Sequence, residues 1–61
     1  MAYGNWTVKI TRPDGSVARY GNWNTKKEAM GYAVIADALY RKDGYQHEVL
    51  NRKTGKVTQV G

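Results

Sequence analysis

Residues 6–16 constrain the fold more than any other part of the chain, because they predict a hairpin of defined register. The segment WTVKIT, 6–11, alternates apolar with polar residues, which is typical of a strand that buries one face. The PDG triplet at 13–15 favours a three-residue loop containing a type I turn and a glycine bulge. Such a loop sets Arg12 opposite Ser16 and so aligns the two strands.

The same register assigns each strand residue to one face of the sheet. It places Val8 opposite Tyr20, and Trp6 opposite Asn22. The face expected to carry the core comprises Trp6, Val8, Ile10, Ala18 and Tyr20. The opposite face comprises Thr7, Lys9, Thr11, Val17 and Arg19.

The sequence Tyr-Gly-Asn-Trp occurs twice, at 3–6 and 20–23. In the predicted register the two copies meet at the open end of the hairpin, so cross-strand aromatic contacts explain the repeat without a duplicated binding motif. The alternative is that Trp23 and Tyr3 stay partly exposed as platforms for a base or a partner surface. Trp23 is the better candidate, because the register directs it away from the core face.

One helix is predicted over 25–42, after the first hairpin. Thr25 and Glu28 have the spacing of a capping box, and Gly44 suits the left-handed position that ends a helix. The stripe expected to face the sheet comprises Ala29, Tyr32, Ala33, Ala36, Leu39 and Tyr40.

The other side of this helix carries an apolar strip formed by Met30, Val34 and Ala38 and interrupted by Gly31 and Asp37. Such a strip is a candidate protein interface, either with a foreign partner or in a symmetric homodimer. Isolated exposed apolar residues are also common on soluble proteins, so both interpretations stay open.

Residues 45–60 predict a second hairpin, with KTG at 53–55 as its turn. A three-residue loop would pair Asn51 with Val57. In that register one face carries Tyr45, His47, Val49 and Val57, whereas Leu50 and Val60 lie on the other. The expected fold is therefore α+β, with the order ββαββ, in a single domain of residues 1–61. Two hairpins form a four-stranded sheet and the helix packs on one face of it.

This order of elements is similar to the β-grasp of the immunoglobulin-binding domains of streptococcal protein G, in which a helix packs across a four-stranded sheet. More locally, the chain resembles a family of short bacterial and phage domains of unknown function. The residues that carry this second resemblance are W6-x-V8-K9, T25-K-K-E28-A29, Ala33, Ala36, H47-E48-V49-L50 and G55-K56-V57. The resemblance implies the same ββαββ fold and no established activity, and fold alone does not carry function.

The charge of the chain favours polyanionic partners, because ten Lys and Arg against five Asp and Glu leave a net charge of +5. On the non-core face Lys9 and Arg19 lie opposite each other, and Trp23 would offer a stacking surface beside them. The candidate nucleic-acid-binding residues are Lys9, Arg12, Arg19, Trp23, Arg52, Lys53 and Lys56. No helix-turn-helix, zinc-finger or RNP motif is present, so binding with little sequence preference is expected.

A protein-interaction module is the competing class. A small one-helix domain with an extra apolar strip would suit a phage-type protein that binds and modulates a host protein, or a homodimer. Salt-sensitive binding to nucleic acid would favour the first class, and salt-insensitive capture of one protein would favour the second.

Catalysis finds little support in the sequence. His47 is the only histidine, the adjacent Glu48 should point to the other face, and cysteine is absent. The carboxylates are scattered and no phosphate-binding glycine loop occurs, so neither an enzyme nor a cofactor or metal site is expected. No segment approaches the roughly 20 apolar residues of a membrane span, and a cytoplasmic location without membrane contact is expected.

Overall fold

The computed structural model describes residues 4–60 and confirms the α+β class and the ββαββ order. The elements are β1 (Trp6–Thr11), β2 (Val17–Trp23), α1 (Lys26–Tyr40), a short 3-10 turn (Arg41–Asp43), β3 (Gln46–Asn51) and β4 (Val57–Gln59). The four strands form one sheet in the order β2-β1-β3-β4, and every neighbouring pair is antiparallel. Helix α1 packs on one face of this sheet, mostly against β3.

The first hairpin has the predicted loop and, over most of its length, the predicted register. The Arg12 N–H donates to Ser16 O at 2.8 Å, and Gly15, with φ 90°, donates to Arg12 O at 2.9 Å. Val8 lies opposite Tyr20, as expected. The turn triplet therefore sets the register, as its sequence predicts.

A β-bulge changes the pairing at the open end of this hairpin. Trp6 lies opposite Trp23 rather than Asn22, because Gly21 (φ 79°) and Asn22 together oppose the single residue Thr7. The Thr7 hydroxyl donates to the carbonyl oxygen of Tyr20 at 3.0 Å and helps to hold the bulge. The extra residue returns Trp23 to the helix-facing side, so its predicted position on the opposite face is wrong.

Helix α1 begins as its capping residues predict, and Gly44 ends the helical segment that includes the 3-10 turn. The Glu28 N–H donates to Thr25 Oγ1 at 3.2 Å, and the Thr25 hydroxyl donates to Glu28 Oε1 at 3.0 Å. The α-helix itself ends at Tyr40, two residues earlier than predicted, and continues as the 3-10 turn to Gly44 in the left-handed conformation (φ 92°).

The buried stripe of α1 is rotated relative to the prediction in its last turns. Ala29, Ala33 and Ala36 are buried, as expected. Leu39 and Tyr40 are instead 59% and 50% exposed, and the buried position is taken by Asp37. The reason is that His47 on β3 gives Asp37 a polar partner beneath the helix, which makes burial of the carboxylate tolerable.

The second hairpin is displaced by one residue from the predicted register. Leu50 pairs with Val57, because the loop contains four residues, 52–55, instead of three. The Asn51 side chain explains the longer loop, since its Oδ1 accepts from the N–H groups of Lys53 and Thr54 at 2.9 and 3.3 Å. Val57 therefore leaves the helix-facing side, and Val60 joins the core.

The core is small and lies between α1 and the sheet. Its buried members are Val8, Ala29, Ala33, Val49 and Val60, and the half-buried side chains packed against them are Trp6, Ile10, Trp23, Met30 and Tyr32. Met30 thus belongs to the core, and its predicted place in an exposed interface strip is wrong. An aromatic row extends the core towards β2, where Tyr32 stacks on Tyr20 and Trp23 with ring centroids 5.1 and 5.4 Å apart.

Candidate nucleic-acid interface

The topology brings the second hairpin turn and the start of the helix to the same end of the sheet. Trp6 lies opposite both Trp23, two residues before the helix cap Thr25, and Asn51, which precedes the second turn. Five exposed cations consequently lie at this end, which we call the basic end: Lys26, Lys27, Arg52, Lys53 and Lys56.

The basic end carries almost all of the net charge of the protein. Glu28 is the one carboxylate that accompanies its five cations, so their side chains give a net of +4 out of the +5 of the chain. Within residues 4–60, none of the five takes part in an ion pair with a carboxylate. Their positive charge is therefore available to an anion from outside.

Backbone and side-chain hydrogen bonds fix the position of the second turn relative to β2. The Arg52 N–H donates to Asn5 O at 2.7 Å, and its guanidinium donates to the side-chain oxygen of Asn22 in the bulge. Arg52 therefore bridges the strands at the basic end, while Lys53 and Lys56 extend from the loop.

The opposite end of the molecule is electrically balanced. There the first hairpin turn meets the end of the helix, as shown by Gly44, where an added Cβ would lie 3.1 Å from Pro13 Cγ. This balanced end carries three cations and three carboxylates: Arg12, Arg41, Lys42, Asp14, Asp37 and Asp43.

Two of the three carboxylates of the balanced end are held by local partners. Asp37 lies 2.8 Å from Arg41 Nη2 and 3.3 Å from His47 Nδ1. Asp14 accepts from the hydroxyl and N–H of Ser16 at 2.7 and 2.9 Å. These hydrogen bonds, helped by the charge of Arg12, hold the pKa of Asp14 below its ordinary value of 3.8.

The predicted cationic pair forms on the face of the sheet that α1 does not cover, which we call the open face. A carboxylate lies beside the pair. Lys9 and Arg19 lie opposite each other on β1 and β2, as expected. On the other side of Lys9, Glu48 of β3 brings its Oε1 to 3.9 Å from the lysine Nζ. The middle of the open face thus has a net of only +1.

Two further predicted binding residues are not available beside the exposed cations of the basic end. Arg12 occupies the balanced end, where its guanidinium donates to Ser16 Oγ at 3.1 Å. Trp23 is half-buried, and its ring stacks on Tyr32 with an interplanar angle of 29°. One face of the indole is therefore covered by the protein itself. Tyr3, the other predicted platform, lies outside the described residues.

Lys26 and Lys27 were missed as site residues by sequence reasoning. The capping box placed them correctly in the first helical turn, but only the observed strand order shows that this turn shares an end with the second hairpin loop. Their side chains add to the positive end of the helix dipole.

A polar cluster, Asp37, Arg41 and His47, borders a cleft of about 460 Å³ at the balanced end. His47 and Asp37 are only 4% and 6% exposed, and their contact at 3.3 Å joins α1 to β3. Across the described part of the chain, no three His, Asp or Glu side chains are grouped closely enough to ligate a metal. None of its helices has the length and apolar character needed to cross a membrane.

Comparison of the chain with known protein families, curated proteins and solved structures finds no match.

Proposed function

We propose that the protein is a small, non-enzymatic domain that binds nucleic acid with little sequence preference, through its basic end. The observation that carries this proposal is the separation of charge along the molecule. One end holds five exposed cations and one carboxylate, whereas the other end is balanced. A concentrated positive surface attracts the phosphate backbone irrespective of base sequence.

The groups at the basic end suit phosphates rather than base edges. Lysine and arginine side chains contact phosphate oxygens, and the free N–H groups of a helix start add donors of the same polarity. The one helix lies against the sheet with its cationic first turn at this end. The domain therefore presents charge without a projecting recognition helix, which favours contacts to the backbone over reading of the bases.

Lys9 and Arg19 have a secondary role in the proposal, because Glu48 offsets part of their charge. Arg12 and Trp23 have none, since the former lies at the balanced end and the latter packs on Tyr32. The proposal places the protein in the cytoplasm, where nucleic acid is abundant.

The salt dependence of binding provides the test. Fluorescence anisotropy with labelled duplex DNA at several salt concentrations should give a log–log slope near −3.6 if about four phosphates are neutralised, at about −0.9 each. The double variant Lys53→Gln/Lys56→Gln should flatten this slope by up to about two contacts.

A matched control separates the basic end from net charge alone. The variant Arg12→Gln/Lys42→Gln removes the same number of charges from the balanced end, and we expect it to keep the slope of the wild type. Equal losses in the two double variants would contradict a localised site. Absence of binding even at low salt would overturn the proposed function itself.

A second candidate function is a protein-interaction module of the phage type, which would bind and modulate a host protein. The observation in its favour is the set of large apolar side chains exposed on α1, with Val34, Ile35 and Leu39 at 49%, 64% and 59%. Capture of one protein that persists in high salt and after nuclease treatment would support this candidate instead.

A further inference from the structure

The side of α1 that faces away from the sheet is uncharged from Gly31 to Leu39. Its residues follow the i, i+3, i+4, i+7, i+8 spacing of a second helical stripe. We call this stripe the outer strip: Gly31, Val34, Ile35, Ala38 and Leu39. All five are exposed, and Ile35 is the most exposed large apolar residue among those described.

The outer strip inverts the usual distribution of side-chain size on a helix. The side of α1 that packs on the sheet buries three alanines and an aspartate, whereas the large aliphatic side chains, Ile35 and Leu39, face solvent. Burying a Leu or Ile side chain is strongly favourable, and the isolated domain leaves these two exposed. A partner surface would supply that burial.

Gly31 is a second, independent indication of a partner. A glycine inside an exposed helix is destabilising relative to alanine. Nothing among the described residues requires it, because its φ is not positive and an added Cβ would meet no described atom within 4 Å. The space beside Gly31 would accommodate a side chain of the partner.

The charges that flank the outer strip indicate what the partner is. Counting from Ile35, Glu28 and Lys42 lie seven positions before and after it, and Lys27 and Asp43 lie eight positions before and after it. Two antiparallel copies of α1 and the 3-10 turn that follows it, related by a twofold axis at Ile35, would bring Glu28 of one copy level with Lys42 of the other, and Lys27 level with Asp43. Parallel copies would instead oppose like charges at both ends, which is unfavourable.

We propose that the protein forms a symmetric homodimer in which the outer strips of two α1 helices pack antiparallel, with Ile35 at the twofold axis. In this arrangement Leu39 of each copy lies over Gly31 of the other, a large residue facing the smallest one. The twofold is of the isologous type that most soluble dimers use. It also carries the two basic ends to opposite ends of the dimer, where they do not repel each other.

The dimer should be a weak one. A helix of 15 residues is about 22 Å long at 1.5 Å per residue, so a single helix pair buries less than the roughly 1,600 Å² of a standard interface. Association should therefore depend on protein concentration, and it should occur without nucleic acid. Nucleic-acid binding does not require this dimer, since four of the five cations of the basic end take no part in it, but the dimer would cover the apolar side chains on which the second candidate function rests.

Sedimentation equilibrium over a range of concentrations tests association. The wild type should approach a dimer, and Ile35→Glu should weaken dimerisation by at least about tenfold while circular dichroism shows an intact fold. Val17→Glu makes a comparable change at a residue that is 51% exposed on the edge strand β2, and it should leave the association unchanged. A wild type that stays monomeric at millimolar concentration would overturn the proposal.

Disulfide cross-linking tests the orientation, and the absence of native cysteine makes the readout clean. Gly31→Cys and Leu39→Cys proteins should cross-link rapidly to each other when mixed and oxidised, and slowly when each is oxidised alone. A parallel dimer would give the reverse pattern, with each variant linking to itself, and would contradict the antiparallel arrangement.

A third variant tests whether Gly31 serves the dimer interface rather than the stability of the monomer. Gly31→Ala should raise the melting temperature of the dilute monomer, since alanine favours the helix. The same change should weaken dimerisation, because it fills the space that Leu39 of the other copy occupies. Stronger dimerisation in this variant would contradict the role assigned to Gly31.

Discussion

The two ends of this small domain use charge in different ways. At the balanced end two of the three carboxylates are tied to neighbours, Asp37 between Arg41 and His47 and Asp14 at Ser16. At the basic end the five cations are exposed, and within the described residues only the Arg52 side chain is hydrogen-bonded, to Asn22, while Trp23 packs on Tyr32 at the bulge. The comparison teaches that most charged side chains are paired within the protein at one end, whereas most of the cations at the other end are free for a partner.

The largest effect on stability is expected from a substitution that disrupts the packing at the basic end. Gly21→Ala adds a Cβ at φ 79°, 2.3 Å from the ring of Trp23. A non-glycine residue in that conformation costs about 1–3 kcal/mol and overpacking a similar amount, so we expect destabilisation of about 2–4 kcal/mol in urea denaturation.

Gly55→Ala is the matched control for this clash. It also imposes a positive φ, 77°, but its Cβ would meet nothing within 4 Å. Its effect should be smaller, at about 1–2 kcal/mol from the backbone conformation alone. Equal effects of the two variants would mean that Trp23 does not constrain the bulge.

The next largest effect on stability is expected from a substitution that removes the buried carboxylate of the balanced end. Asp37→Ala leaves His47 buried without its acceptor and deprives Arg41 of its partner. Loss of a buried hydrogen-bond partner costs about 1–3 kcal/mol, which should appear as a lower urea midpoint. Lys27→Ala, on the exposed first turn, should change stability by less than about 0.5 kcal/mol. A neutral Asp37→Ala would show that this cluster contributes nothing to the fold.

A smaller effect on stability is expected when exposed lysines of the basic end are replaced. Lys53→Gln/Lys56→Gln, the variant designed against phosphate binding, should unfold within about 0.5 kcal/mol of the wild type, because neither side chain has a carboxylate partner among the described residues. A clear loss of stability in denaturant titrations would mean that these lysines support the loop itself.

The smallest effect concerns the first turn and its response to pH. Because the pKa of Asp14 is lowered in the folded protein, its charge contributes stability above the unfolded value of 3.8 that is lost as the pH falls through the folded value. Ser16→Ala removes the hydroxyl donor and should raise this pKa towards 3.8, as followed by NMR titration of the Asp14 side chain. Thr54→Ala, in the other turn, should leave the titration unchanged.

How much could be predicted from the sequence is clearest in the two hairpins. The first followed its PDG turn, since proline and glycine fix backbone angles directly. The second hairpin differed from its predicted register because the Asn51 side-chain oxygen accepts hydrogen bonds from two N–H groups of the loop. These bonds stabilise a loop of four residues instead of three. The bulge at Gly21 was missed for a similar reason, as a strand glycine is compatible with either a regular or a bulged pairing.

The candidate site depended on facts that no local pattern contains. Lys26 and Lys27 join Arg52 only because β1 and β3 are neighbours, and strand order is a property of the whole chain. The helix face was predicted up to Ala36, where spacing decides burial. Beyond it, the partner offered by His47 outweighed the hydrophobicity of Leu39.

The central position of β1 and β3 has a consequence for how quickly the domain folds. Each hairpin closes through neighbours in sequence, but the contact that joins them pairs Val8 with Val49, 41 positions apart. Closing so long a loop costs more entropy than closing a turn, and chains rich in distant contacts fold slowly. The two hairpins and the helix can therefore form early and locally, while docking of β3 along β1 sets the rate at which the native sheet is completed.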